Sequence, residues 1–172
     1  LLICADIQSD TLNIHVVNDG ELIKNSKILI ELYDFKGNLV FENLVIMDIN
    51  ANSSTIVFPY KKDKVLNGLN TKNVMLRTSI YLDENIISTN DYFLEKTKFL
   101  KIDEQNFNIN VEKVDGIYNI DIESKSFLNR LHALCLNGSG VFSDNYFNML
   151  PGEKRKIQFI PSDEFNGSTK FD

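Results

Sequence analysis

Apolar residues in this chain recur at every second position, and that spacing limits what it can fold into. Leu12, Ile14 and Val16 alternate with Asn13 and His15, and Ile28, Ile30 and Leu32 share one face of the next run. Successive side chains of an extended strand point to opposite faces, so this spacing gathers the apolar set on one side. Leu39-Val40-Phe41, Thr55-Ile56-Val57-Phe58, Val74-Met75-Leu76 and Ser79-Ile80-Tyr81-Leu82 are further short runs. Their branched and aromatic residues suit a pleated, half-buried surface. No long segment has helical spacing with caps. The best helical candidate is Lys61–Leu69, weakened by Asn67, Gly68 and the following Asn70.

Turn chemistry separates these runs. Asp34-Phe35-Lys36-Gly37-Asn38 places a glycine where a short hairpin loop needs positive φ, and Asp115-Gly116 is a two-residue hairpin signal. Asp83-Glu84-Asn85 separates Leu82 from Ile86, and Asn18-Asp19-Gly20 closes the strand that begins at Leu12. The pattern gives about seven strands before Leu94 and about five or six after Phe99, at the spacing of an all-β sandwich. One such sandwich takes about 100 residues. Glu95-Lys96-Thr97-Lys98 is a charged connector at that distance, so two domains are expected, 1–97 and 98–172. The second is small enough to bury a reduced fraction of its surface. It is expected to lean on its neighbour or on further parts of a longer chain. The opening Leu-Leu-Ile, in place of Met, also suggests a piece of something longer.

The net charge of −6 opposes a nucleic-acid partner, which needs a basic footprint. Lys61-Lys62-Asp63-Lys64 and Lys154-Arg155-Lys156 lie beside turns and read as solvated. No apolar stretch approaches the roughly 18 residues of a membrane span, and no membrane partner is expected. Cys4 and Cys135 fall in apolar strand patterns and are expected to be buried free thiols. That use of cysteine favours a reducing compartment. With no tandem repeat, sorting signal or secretion context visible, a cytoplasmic or periplasmic location is expected over a surface-anchored one.

Little in the sequence points to catalysis. His15 and His132 are the only histidines, and each is expected in mid-strand. Gly138-Ser139-Gly140 lacks the strand-to-helix elbow of a nucleophilic serine. Neither histidine has the spacing to a cysteine that builds a zinc site, and no glycine-rich phosphate loop occurs, so no metal or cofactor is expected. The carboxylate pairs Asp83-Glu84, Asp103-Glu104 and Asp163-Glu164 sit in turns. A glycosidase acid needs a desolvated carboxyl, so no catalytic residue is assigned. Asp144 and Asn145 offer oxygens on a loop, but an Asx turn at Asp144 is the simpler reading. Stacking on sugars favours tryptophan, which is absent; Tyr33, Tyr60, Tyr92 and Tyr146 are ungrouped candidates for exposed rings.

Phe142-Ser143-Asp144-Asn145-Tyr146-Phe147-Asn148-Met149-Leu150-Pro151-Gly152-Glu153 resembles a segment near the carboxyl end of β-mannosidases of the multidomain β-galactosidase/β-mannosidase class. Ala5-Asp6-Ile7-Gln8 through Leu12 to Asp19, and then Ile30 to Gly37, resemble, in the right order, the domain that follows the barrel in that class. The resemblance implies two immunoglobulin-like β-sandwich domains in tandem, forming a non-catalytic region of a hydrolase of terminal non-reducing β-D-mannose. It implies a partner, the catalytic barrel of the parent chain, whose site lies at the carboxyl ends of the barrel strands. Phe142, Ser143, Asp144, Asn145, Phe147, Leu150, Pro151, Gly152 and Glu153 are then signature residues with structural roles. The chain ends at Gly167–Asp172, short of where the family's last strand is expected to continue. The alternative is a carbohydrate-binding or surface-adhesion sandwich without an enzyme parent, binding mannosides or similar glycans directly.

Overall fold

The computed structural model describes residues 1–136 and 138–162. The chain is all-β and divides into two compact units, Leu1–Lys101 and Ile102–Asp172. In the first unit, β1 (Leu2–Gln8), β2 (Thr11–Asn18) and β5 (Ser53–Lys61) form one antiparallel sheet in the order β1-β2-β5. The strands β3 (Ile23–Asp34), β4 (Leu39–Ile49), β6 (Val74–Leu82) and β7 (Asn85–Phe93) form a second in the order β4-β3-β6-β7. Ile3, Leu12, Ile14 and Val16 of the first sheet meet Ile28, Ile30, Leu32, Leu76 and Ile80 of the second in one buried cluster. The alternation seen in the sequence is therefore the inner face of a sandwich. On β2 it puts Asn13 and His15 on the opposite face, where Asn13 is nevertheless buried and His15 half-buried.

The helical candidate is shorter than expected. Helix α1 covers only Lys62–Leu66, because Asn67 adopts the left-handed conformation at φ 48° and ends it. Asparagine is one of the few residues that tolerates this geometry. Two turns match their sequence signals. Asp34 Oδ1 accepts hydrogen bonds from the Lys36 and Asn38 amides, closing the β3–β4 loop. Asp115 and Gly116 lie at φ 50° and 84°, so both central residues take the positive values that a type I′ hairpin requires.

The second unit contains β8 (Phe107–Val114), β9 (Ile117–Ser124), β10 (Leu128–Leu131), β11 (Gly140–Phe142), β12 (Phe147–Met149) and β13 (Lys154–Pro161). One sheet has the order β11-β13-β9-β8 and the other pairs β10 with β12. Tyr118, Ile120, Ile122, Ile157 and Phe159 of the larger sheet pack on Leu128, Phe147 and Met149 of the smaller. The two-stranded layer leaves part of the larger sheet uncovered. Strand β8 ends that sheet among the described residues, and every β8 residue after Phe107 is exposed, Ile109 and Val111 included.

Two further expectations need correction. Cys4 and Cys135 are free but only half-buried. Cys4 lies on the outward side of β1, opposite His15 of β2, and Cys135 lies in the irregular segment after β10. His132 is not in mid-strand, because β10 ends at Leu131. The chain end at Gly167–Asp172, where the family's last strand is expected to continue, lies outside the described residues, as does the Asp163-Glu164 pair.

Candidate functional site

The segment from Phe142 to Glu153 runs from the end of β11 through β12 to the start of β13. Its polar groups are spent largely on the backbone. Ser143 pairs with Gln158 in both directions: its amide donates to the Gln158 carbonyl at 2.8 Å, and its Oγ accepts from the Gln158 amide at 2.8 Å. Asn145 does the same for Ala133. Its Oδ1 accepts from the Ala133 amide at 2.8 Å and its Nδ2 donates to the Ala133 carbonyl at 2.9 Å. This side chain ties the loop before β12 to the irregular segment after β10.

Asp144 departs from the expected Asx turn. Its Oδ1 accepts from the amide of Asn145, the next residue, at 2.8 Å, and its Oδ2 lies 2.8 Å from Arg155 Nη2. The Arg155 guanidinium also sits 4.2 Å from the centre of the Phe147 ring. One arginine thus joins the loop carboxylate to the core aromatic of β12.

Phe142 and Phe147 face the interior. The Phe142 ring lies 4.7 Å from that of Phe159, and Phe147 and Leu150 are buried. Pro151 and Gly152 make the type II turn that their order signals: Gly152 has φ 85°, and the Glu153 amide donates to the Leu150 carbonyl at 3.1 Å. Glu153 Oε2 accepts from the Leu150 amide at 2.8 Å, and the Gly152 amide donates to the Ser124 carbonyl at 2.9 Å. All nine signature residues therefore lie in one stretch of loop and strand, bonded to β9, β13 and the segment after β10.

One residue within this segment was missed as a site element. Tyr146 is 63% exposed and its backbone adopts φ 59°. Its ring stacks on His132 with centroids 4.5 Å apart and planes 13° from parallel, and its hydroxyl lies 3.1 Å from His132 Nε2. Of the other tyrosines singled out, Tyr60 is buried and hydrogen-bonded to Asn43, while Tyr33 and Tyr92 are half-buried. The β10–β12 pairing, which sets Leu131 opposite Phe147, and the Asn145 bridge to Ala133 bring Tyr146 and His132 together, and sequence spacing encodes neither.

Acid–base chemistry finds little support elsewhere. Asp83, Glu84, Asp103 and Glu104 are exposed, whereas a glycosidase acid sits in a desolvated pocket. Asp91 is held by Arg77 through two bonds of 2.7 and 3.1 Å. Cys4, His15 and Asp6 do reach one face of the first sheet. His15 Nε2 is 3.4 Å from Asp6 Oδ1 yet has no hydrogen-bond partner, so the contact is proximity and not a relay. The Asp6 carboxyl is instead held below its ordinary value, first by the Asn13 side-chain amide at 2.9 Å. Such a shift favours the charged form and opposes service as a general acid. Among the described residues, no group of three or more histidine, cysteine or acidic side chains could hold a metal. A groove of about 280 Å³ lies over Asn119, Asp121, Ser143, Lys156 and Gln158. Its polar groups pair with each other, Lys156 with Asp121 at 3.2 Å and Gln158 with Asn119 at 2.9 Å.

A family profile described as the mannosidase Ig/CBM-like domain matches residues 10–98, and a second, an Ig-fold domain, matches 103–171. The fold is similar to that of the β-D-mannosidase from Dictyoglomus thermophilum, with TM-score 0.71 and 21% identity over 94% of this chain and 19% of that one. It is also similar to the exo-chitosanase CsxA from Amycolatopsis orientalis, with TM-score 0.61 and 12% identity over 91% of this chain and 23% of that one. This chain therefore spans about a fifth of the length of those enzymes. No curated protein sequence matches it. Two immunoglobulin-like sandwiches in tandem, the first matched over residues 10–98, place the chain in the mannosidase Ig/CBM-like domain family.

Proposed function

We propose that the chain is a non-catalytic accessory region of a larger β-mannosidase-type glycoside hydrolase, and that its two domains support and pack on the catalytic barrel of that enzyme. The boundary between the domains falls in the connector that begins at Glu95, and the nine signature residues from Phe142 to Glu153 serve to shape the second domain. The observation that carries this reading is how the segment's polar groups are used. Ser143, Asp144, Asn145 and Glu153 all hydrogen-bond to backbone amides of their own domain. Groups committed in that way build a surface and do not turn over a substrate. The fold likeness to a fifth of a β-D-mannosidase supports a role beside a larger catalytic part.

Two assays test the proposal. The 172-residue chain, incubated with p-nitrophenyl β-D-mannopyranoside and with mannobiose, should release no product; hydrolysis would overturn the reading. Supplied in trans to a β-mannosidase barrel from which the equivalent region has been deleted, it should restore soluble, active enzyme. A barrel that is equally soluble and active without it would sink the supporting role.

A further inference from the structure

Tyr146 is built in a way that its neighbours are not. A bulky residue at positive φ is a backbone outlier, and such outliers persist where the surroundings enforce them. At φ 59° this position would suit glycine or asparagine, yet the chain places there a ring that is 63% exposed. The ring is also fixed. His132 lies parallel beneath it at 4.5 Å, the hydroxyl is anchored at 3.1 Å to His132 Nε2, and the Tyr146 amide donates to Asn145 Oδ1 at 3.1 Å. An exposed aromatic that is strained, backed and tethered has paid its ordering entropy before any ligand arrives.

The loop that carries this ring also carries an ion pair. Asp144 precedes Tyr146 by two residues, so their Cα atoms are within about 7.6 Å of each other. Its half-exposed carboxylate holds the half-exposed Arg155 guanidinium at 2.8 Å. A flat π-face accepts the C–H side of a pyranose, and a carboxylate on the same loop with its guanidinium partner offers ring hydroxyls an acceptor and a donor. We propose that Tyr146, backed by His132 and two residues after the ion-paired Asp144, is a stacking platform for a neutral hexopyranose unit of a glycan. The site stands on this geometry and is independent of the accessory role argued above, which needs no sugar contact in the second domain.

The test is an NMR titration of the 172-residue chain with methyl β-D-mannopyranoside and with mannotriose, using glycerol as a control. The ring signals of Tyr146 and His132 should shift saturably with sugar and not with glycerol. Tyr146→Phe should keep the response. Tyr146→Gly suits the backbone at this position and removes the ring, so it should weaken binding by at least about tenfold. Should the glycine variant lose its dispersed spectrum, Tyr146→Asn, which also tolerates this φ, repeats the test. Absence of a saturable shift, an equal response to glycerol, or saturable binding that survives loss of the ring would each overturn the proposal.

Discussion

At the scale of single residues, the second domain depends on a few positions where backbone geometry leaves no choice. Gly152 is the clearest. A Cβ built there meets no atom within 4 Å, so there is space for a side chain, and the φ of 85° is the sole obstacle. A substitution at such a site isolates backbone strain from packing. Gly152→Val should lower the stability of the second domain by about 1–3 kcal/mol. Thermal or urea unfolding of the variant would check this, and an unchanged midpoint would count against the type II turn as a stability determinant. The Pro-Gly order made this turn readable in advance, because each residue has a single preferred place in it. Asp144 was not readable in the same way. Its Oδ1 bonds forward to the next amide, that of Asn145, and the pairing of its Oδ2 with Arg155 depends on β13 running beside it.

Elements show where sequence patterns carry and where they stop. The strands of the first domain were legible because each buries one face, and a one-residue slip would put Ile14 or Ile30 in water. The helix was over-read, since Asn67 stops it before the apolar pattern ends. Strands β10 to β12 were harder to read. Short pieces carry too few residues for a period, and the segment holding His132 and Cys135 is extended without being in a sheet. At β11 a contact invisible in the sequence sets the pairing. A Cβ on Gly140 would lie 2.5 Å from the Ile160 carbonyl oxygen and 2.5 Å from the Phe159 ring, so only glycine lets β11 approach β13. Gly140→Ala should therefore shift β11 away from Phe159 and cost roughly 1–3 kcal/mol, the range of an overpacked core. Hydrogen exchange at the Val141 and Ser143 amides reads the effect directly. Protection equal to that of the parent chain would show that the close approach does not matter.

The whole chain responds to pH through carboxylates in both domains. Asp6 in the first and Glu123 in the second are held below their ordinary values of 3.8 and 4.5. Asn13 is the main cause for Asp6; for Glu123 it is Lys125, with its ammonium 2.8 Å away. A carboxyl with a depressed folded pKa binds protons less readily when folded than when unfolded. Its contribution to stability is complete above the ordinary value and disappears as pH falls through the depressed one. The melting temperature should fall on acidification below about pH 4.5, and Asp6→Asn with Glu123→Gln should flatten that fall. A double variant with the same acid slope as the parent chain would assign the effect elsewhere. The family and the all-β fold were open to sequence reading, since both rest on ordered local patterns. The Tyr146–His132 stack was not, because it depends on the short β10–β12 pairing and on the Asn145 bridge to Ala133.

Strand β8 has a consequence for how such a domain can exist on its own. Among the described residues no strand pairs with its outer edge, and Ile109 and Val111 are exposed on it. Such an edge is a template on which any second strand can add. Asn108, Asn110 and Glu112 alternate with those apolar residues and supply the polarity that keeps the edge soluble. The strand is thus a join left open, and a lysine in place of Val111 is the smallest change that would seal it against self-association.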